Sequence, residues 1–240
     1  VFGMHSWPGL EVGRFATRTG PLMAASGRWI VTLNGAGGHG GADPHKCADL
    51  TVVAAGLTMG LQTIVSRNVA ATDQAIISVG YIHAGDENAL NVMPSELVIG
   101  GTMRAFTSET QELLERRIQE MTQLHARTHG AEAKIKIWWN AAPTINAPEA
   151  TQTALTSSAQ VVGAGCVDAE AMQTTAGEDF SLMLRECEGN FMFIGNGIRE
   201  GDGGGALHTP KYDFNDAAIP YGIAYWLSVV NCELEGKFGV

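Results

Sequence analysis

The sequence predicts an α/β chain in which a compact β-α-β-β-α-β unit interrupts a second α/β unit whose pieces lie at both ends. Three observations carry this. Between residues 29 and 139 the apolar spacing switches between period two and helical period in the order strand, helix, strand, strand, helix, strand. The flanking segments do not continue that pattern: residues 149–162 and 178–185 read as helices, and 190–194 as a buried strand. The 30 glycines are spread along the chain, as tight turns and close backbone approaches require, and form no linker or low-complexity tract.

Residues 29–33, Trp-Ile-Val-Thr-Leu, read as a strand that runs into a Gly-rich turn at 35–41. Residues 47–67 carry a helical apolar pattern. Residues 75–82 and 97–106 read as strands joined by a loop containing Asn88, Asn91 and Pro94. Ser108 with Gln111 three residues later forms a capping-box pattern, and Leu113, Leu114, Ile118, Met121 and Leu124 follow at helical spacing. Gly130 stops that helix, and residues 133–139 alternate as a strand. This order is the ferredoxin-like one, a four-stranded antiparallel sheet with two helices on one face. Asp216 is a candidate N-cap for the closing helix through Trp226 and Val230, with Pro220 tolerated in its first turn. The expected organisation is a segment at 1–27, an inserted domain at 28–139 and a second segment at 140–240.

The 240 residues can bury a core, and 45% hydrophobic with 17% charged residues reads as globular. A net charge of -10 argues against nucleic acid and anionic membranes as partners. Cys47, Cys166, Cys187 and Cys232 are widely spaced without a CxxC pair, which fits buried thiols in a reduced cytoplasmic protein. No apolar run approaches the roughly 18 residues that span a bilayer.

Several residues carry candidate chemistry. His5, in Gly3-Met4-His5-Ser6-Trp7-Pro8, and His208, in Leu207-His208-Thr209-Pro210, each stand beside a proline after an apolar run. Neutral imidazoles suit a transition metal, yet two of them leave it under-ligated, and each also reads as an ordinary polar contact. His39 lies among glycines in Gly37-Gly38-His39-Gly40-Gly41. That surround admits a substrate or another subunit close to the backbone, where the imidazole can donate to a developing oxyanion. It is equally the composition of a strand-to-helix turn with surface histidines. Asn91 offers an amide to a carbonyl and Arg104 a fork to a carboxylate; turn chemistry and a solvated strand edge are the other readings. Glu178-Asp179 reads mainly as a helix start, where negative charge is favoured. No GxSxG, SxxK or Walker A pattern occurs, and no GxGxxG precedes a suitable helix, so serine-hydrolase and nucleotide readings have no foothold.

Taken together, residues 2–8, 20–24, 35–45, 61–67, Asn91-Val92-Met93-Pro94, Gly101-Thr102-Met103-Arg104, Ala176-Gly177-Glu178-Asp179-Phe180 and 207–216 resemble, in order, the M20 metallopeptidase family. The resemblance is to its amidohydrolase branch of hippurate hydrolases, N-acyl-amino-acid deacylases and auxin-conjugate hydrolases. It implies a zinc-peptidase-like catalytic domain, a mixed sheet flanked by helices, with the β-α-β-β-α-β insert as a lid that also mediates a homodimer. It further implies two divalent ions per complete site (zinc, manganese, cobalt or nickel), with His5 and His208 as one ligand each. His39 would stabilise the oxyanion, reaching even the partner's site. Asn91 would assist the carbonyl, and Arg104 would hold the substrate carboxylate of an N-acyl or N-aroyl amino acid. The family's Cys-Gly-His-Asp-Gly-His segment and Glu-Glu pair, which supply the remaining ligands and the general base, have no counterpart here and are expected before Val1. The alternatives are a non-catalytic dimerising or small-molecule-binding module, and a weak esterase with a reduced metal site.

Overall fold

The computed structural model describes residues 1–238, which form two compact units. A central unit takes Ala24–Pro143 with Thr175–Gly177. A terminal unit takes Val1–Met23, Thr144–Thr174 and the chain from Glu178 onwards. In chain order the strands are β1 (Phe2–Pro8), β2 (Phe15–Ala16), β3 (Gly20–Met23), β4 (Ala25–Asn34), β5 (Gly38–His39), β6 (Ala75–Ala84), β7 (Val92–Met93), β8 (Glu96–Ala105), β9 (Glu132–Ala141), β10 (Thr144–Asn146), β11 (Val167–Asp168) and β12 (Asn190–Gly197). The helices are α1 (Leu50–Asn68), α2 (Ser108–Thr128), α3 (Pro148–Val162), α4 (Ser181–Leu184) and α5 (Ile219–Phe238).

The central unit is a four-stranded sheet in the order β6-β8-β4-β9 with every neighbouring pair antiparallel. Alternation sorts β4 cleanly: Trp29, Val31 and Leu33 are buried, while Ser26, Arg28, Ile30 and Thr32 point to the other face. α1 starts because the Asp49 carboxylate accepts from the amides of Thr51 and Val52, satisfying donors the helix itself cannot. Its buried Val53, Leu57, Leu61 and Ile64 join Leu114 and Ile118 of α2 over the inner face of the sheet. The two helices approach closely at Gly60, where a Cβ would stand 2.9 Å from the His125 ring. His125 therefore packs on α1 as well as lying in the last turn of α2.

Local signals were displaced in four places. α2 is capped by Thr107, whose side chain accepts from the Thr110 amide, so Ser108 is already helical. α1 begins at Leu50 rather than 47, because residues 44–46 make a separate 3-10 turn. The helix read at 178–185 contracts to the four residues of α4. Asn215, not Asp216, caps the final helical segment by accepting from the Ala217 amide. α1 is also long and apolar enough, by length and composition, to cross a membrane, although its apolar residues are interrupted by Thr, Gly and Gln. Here its buried face is taken up by the core.

In the terminal unit the sheet order is β1-β12-β2-β11, with β1 parallel to β12, β12 antiparallel to β2, and β2 parallel to β11. Phe15, Met192 and Ile194 face Tyr225 and Val229 of α5 and Ala154 of α3. Phe191, Phe193 and Ala16 on the opposite face pack with Leu22, Ala171, Trp7 and Phe180. The buried amide of Asn146 locks β10 to this sheet. Its oxygen accepts from the Phe191 amide at 2.7 Å, and its Nδ2 donates to Thr17 Oγ1, the Arg18 carbonyl and the Phe191 carbonyl.

Candidate functional site

His5 sits in mid-strand on β1, in register with Phe193 of β12. Period two puts it on the same face as Trp7, whose ring it meets edge-on at 6.1 Å. Its Nδ1 lies 2.6 Å from the Ser6 carbonyl oxygen. A carbonyl can only accept, so Nδ1 carries a proton, and in the neutral ring Nε2 then has the lone pair, the arrangement that orients a metal-ligating histidine. The Glu178 carboxylate interacts electrostatically with His5. Burial first, and then a hydrogen bond that the protonated carboxyl donates to Asp179, push it above the ordinary range, against the opposing pull of the Phe180 amide and His5. Sequence reasoning took Glu178 chiefly as a helix start; its neighbourhood with His5 joins residues far apart in the chain.

His208 lies in the loop between β12 and α5 and is the one described non-glycine residue in the left-handed region, with φ 60°. Such a conformation is uncommon for a side-chain-bearing residue and persists where surrounding contacts enforce it. Here Thr209 Oγ1 donates to the Ala206 carbonyl at 2.8 Å, the Tyr212 amide donates to the Thr209 carbonyl at 3.1 Å, and Lys211 pairs with Glu200 at 3.0 Å. A hydrogen bond of 3.0 Å between Ser6 Oγ and the Tyr212 hydroxyl ties this loop to the residue beside His5. Among the described residues no group of three or more His, Cys, Asp and Glu side chains is placed to hold a metal ion. Two imidazoles fall short of the four ligands a structural or catalytic transition metal commonly takes, so these residues do not fit a complete metal centre.

In the central unit, β5 pairs antiparallel with β7, which sets His39 opposite Val92. The Gly40 amide donates to the Asn91 carbonyl at 2.9 Å, so the His39 and Asn91 backbones lie side by side. The amides of Gly41 and Ala42 donate to His39 Nδ1 at 3.2 and 3.0 Å. In the neutral ring that makes Nδ1 the acceptor and leaves Nε2–H as an exposed donor. Glycine matters at Gly41, because a Cβ there would stand 3.3 Å from the His39 ring.

Arg104 is elsewhere. It lies near the far end of β8, roughly 27 Å along the strand from Glu96 at its start, at about 3.4 Å per residue, while Asn91 precedes that start. Its Nε donates to the Thr175 carbonyl at 3.0 Å, and its Nη1 donates to Thr102 Oγ1 and the Met103 carbonyl. Burial first, and then the charge of Arg28, lower its pKa below the usual guanidinium value. The structure thus brings His39 and Asn91 together and ties the strand of His5 to the loop of His208. It keeps Arg104 apart from the His39–Asn91 turn.

The mixed sheet of the terminal unit and the antiparallel sheet of the central unit recur together in solved peptidase structures. The crystal structure of the Bacillus subtilis YXEP protein, a dinuclear metal binding peptidase from the M20 family, superposes with a TM-score of 0.79 at 25% identity, covering 98% of this chain and 57% of that one. The model of peptidase family M20/M25/M40 matches residues 1–231, and the chain belongs to that family. It is 30% identical to the N-acetylcysteine deacetylase of Bacillus subtilis (strain 168), covering 98% of this chain and 59% of that protein. It is 31% identical to IAA-amino acid hydrolase ILR1-like 2 of Arabidopsis thaliana, covering 99% of this chain and 53% of that protein. The chain therefore spans between about half and three fifths of the length of the relatives it matches.

Proposed function

We propose that this chain is the larger part of a metal-dependent amidohydrolase that cleaves the amide of N-acyl or N-aroyl amino acids, hippurate-like compounds included. The observation that carries the reading is the His39 ring. Two backbone amides hold its Nδ1, so its Nε2–H stands as a fixed donor at a glycine-walled turn. A donor that needs no reorganisation is what stabilises charge developing on a carbonyl oxygen. Family membership and relatives named as a deacetylase and an amino acid conjugate hydrolase point to the same bond type.

In this reading the central unit, a ferredoxin-like module, is the lid, and the terminal unit is part of the catalytic domain. His5, through Nε2, and His208 would each ligate one of two divalent ions (zinc, manganese, cobalt or nickel), with further ligands from outside this chain. His39 and Asn91 would act on the carbonyl, and Arg104 on the carboxylate. A small substrate cannot bridge the length of β8, so His39 and Asn91 of one protomer would serve a site completed by the partner's Arg104. A homodimer follows, and β6 is the strand suited to form it. Among the described residues β6 has no neighbour on its outer side, and it carries none of the lysines that blunt β9 at the opposite edge. Four free thiols fit a reducing, cytoplasmic setting.

The test is metal content and hippurate hydrolysis of the 240-residue chain beside a version extended upstream. Two bound ions and turnover in the extended protein alone support the reading. In that protein His39→Ala should lower kcat by about a hundredfold or more. Turnover by the 240-residue chain itself would refute the ligand assignment. Inactivity of both would favour a dimerising or small-molecule-binding module.

A further inference from the structure

Arg104 is not alone at its end of the sheet. On the face away from α1 and α2, Arg28 of β4 stands directly opposite Thr102 of β8 and diagonal to Arg104. The Thr102 hydroxyl lies between them, donating to the Gly27 carbonyl and accepting from Arg104 Nη1. The two guanidiniums feel each other's charge. Neither takes part in any ion pair among the described residues. The oxygens that hold Arg104 are neutral carbonyls and a hydroxyl, so they fix its fork without cancelling its charge. Farther along the same face β9 adds Lys134 and Lys136, opposite Thr32 and Ile30; the face's glutamates, Glu96 and Glu132, both pair with Asn34 at the other end. In a chain of net charge -10, an uncompensated pair of arginines on one open face is the arrangement that receives an anion.

We propose that Arg28 and Arg104 form a two-carboxylate site, Arg104 holding the α-carboxylate and Arg28 a second one. The preferred substrates are then N-acyl derivatives of acidic, dicarboxylic amino acids. The proposal rests on the amidohydrolase reading for its choice of ligand and deepens it by naming the substrate class. The spacing suits two carboxylates. Diagonal cross-strand residues stand about 7–8 Å apart, close enough for one small molecule to reach both; Arg28 offers its fork to one carboxylate, and Arg104, whose Nε and Nη1 are held by protein oxygens, offers Nη2 to the other. The indole of Trp138, in register with Arg28 on β9, borders the same face.

The experiment compares N-acetyl-L-glutamate with N-acetyl-L-glutamine, near-isosteres that differ by the second charge. Binding to the 240-residue chain is followed by calorimetry and by the ¹⁵N–¹H signals of the arginine Nε groups. The glutamate compound should bind about tenfold or more tightly, and Arg28→Gln should bring the two affinities to within about twofold of each other. Arg28→Lys, which keeps the charge, should retain part of the preference. Equal affinities in the unaltered chain, an unchanged ratio in Arg28→Gln, or no Nε shift from either ligand overturns the proposal. Uniform weakening of both ligands by Arg28→Gln overturns it too, since both arginines would then hold a single carboxylate. The amidohydrolase reading fails separately, by a preference in binding that no upstream-extended protein converts into turnover. It survives alone if the extended protein hydrolyses acyl amino acids without regard to the second charge.

Discussion

The central and terminal units are built from the same kinds of residue yet reach stability by different routes. The central unit closes one cluster of nineteen buried residues between a four-stranded sheet and two helices. The terminal unit divides its buried apolar residues into clusters of seven and six on the two faces of its sheet. It relies more on buried amides, with Asn146 and Asn190 bonded to Thr17 and Thr151. It also leaves apolar surface open. Ile219, Ile223, Leu227, Val230 and Leu234 fall along one flank of α5 at helical spacing and are 45–63% exposed. β1 is paired on one side only among the described residues. The central unit thus buries its apolar residues in one core, while the terminal unit leaves one flank of α5 and one side of β1 uncovered among the described residues.

The largest expected effect sets the two cores against each other. Leu57→Ala in the central cluster should cost about 3–5 kcal/mol, and Met192→Ala in the terminal one about 2–3 kcal/mol, because a smaller and more open core collapses more readily into the space left. Calorimetry should resolve two transitions, with Leu57→Ala lowering the higher one. Equal costs, or a single transition shared by both variants, would break the comparison.

A smaller effect sharpens it inside the central unit. The Asp49 carboxyl is held below its ordinary value, first by the Thr51 hydroxyl and then, against burial, by the amides of Val52 and Thr51 and the charge of His129. Because the folded value is depressed, the stabilisation is fully present above the unfolded pKa of about 3.9 and is lost as pH falls through the folded value. Asp49→Ala should therefore cost about 1 kcal/mol near pH 7, and the difference from the unaltered protein should shrink as the pH approaches 3. A cost independent of pH would remove the carboxylate cap from the account.

The smallest effect belongs to the terminal unit and has the opposite sign. The Tyr225 hydroxyl is buried with no hydrogen-bond partner among the described residues, and burial pushes its pKa well above the usual value. Tyr225→Phe deletes an unsatisfied polar group and should be neutral or stabilising by up to about 1 kcal/mol. A marked loss of stability would show that the hydroxyl has a partner.

Much of the central unit was legible in advance because its elements are long and their signals local. Leu114 and Ile118 sit on the helix their spacing announced, and Trp29, Val31 and Leu33 alternate as a half-buried strand must. β2, β3, β7, β10 and β11 are two to four residues long and carry no period to read. β1 is longer but lacks alternation, since Gly3, His5 and Trp7 share one face with chemistry rather than hydrophobicity. Caps slipped by one residue at Thr107 and Asn215, because neighbouring Ser108 and Asp216 are equally able and backbone geometry chooses between them.

The site divides in the same way. From the sequence alone came the histidines, Asn91 and Arg104 as groups capable of metal, oxyanion and carboxylate chemistry, since those capacities belong to the side chains themselves. Only the tertiary structure decided which of them meet. β5–β7 pairing put Asn91 beside His39, the length of β8 carried Arg104 away from both, and the register of β4 on β8 brought Arg28 to Arg104. Strand register is set by burial of a whole face, so no single residue announces which partner it will stand opposite.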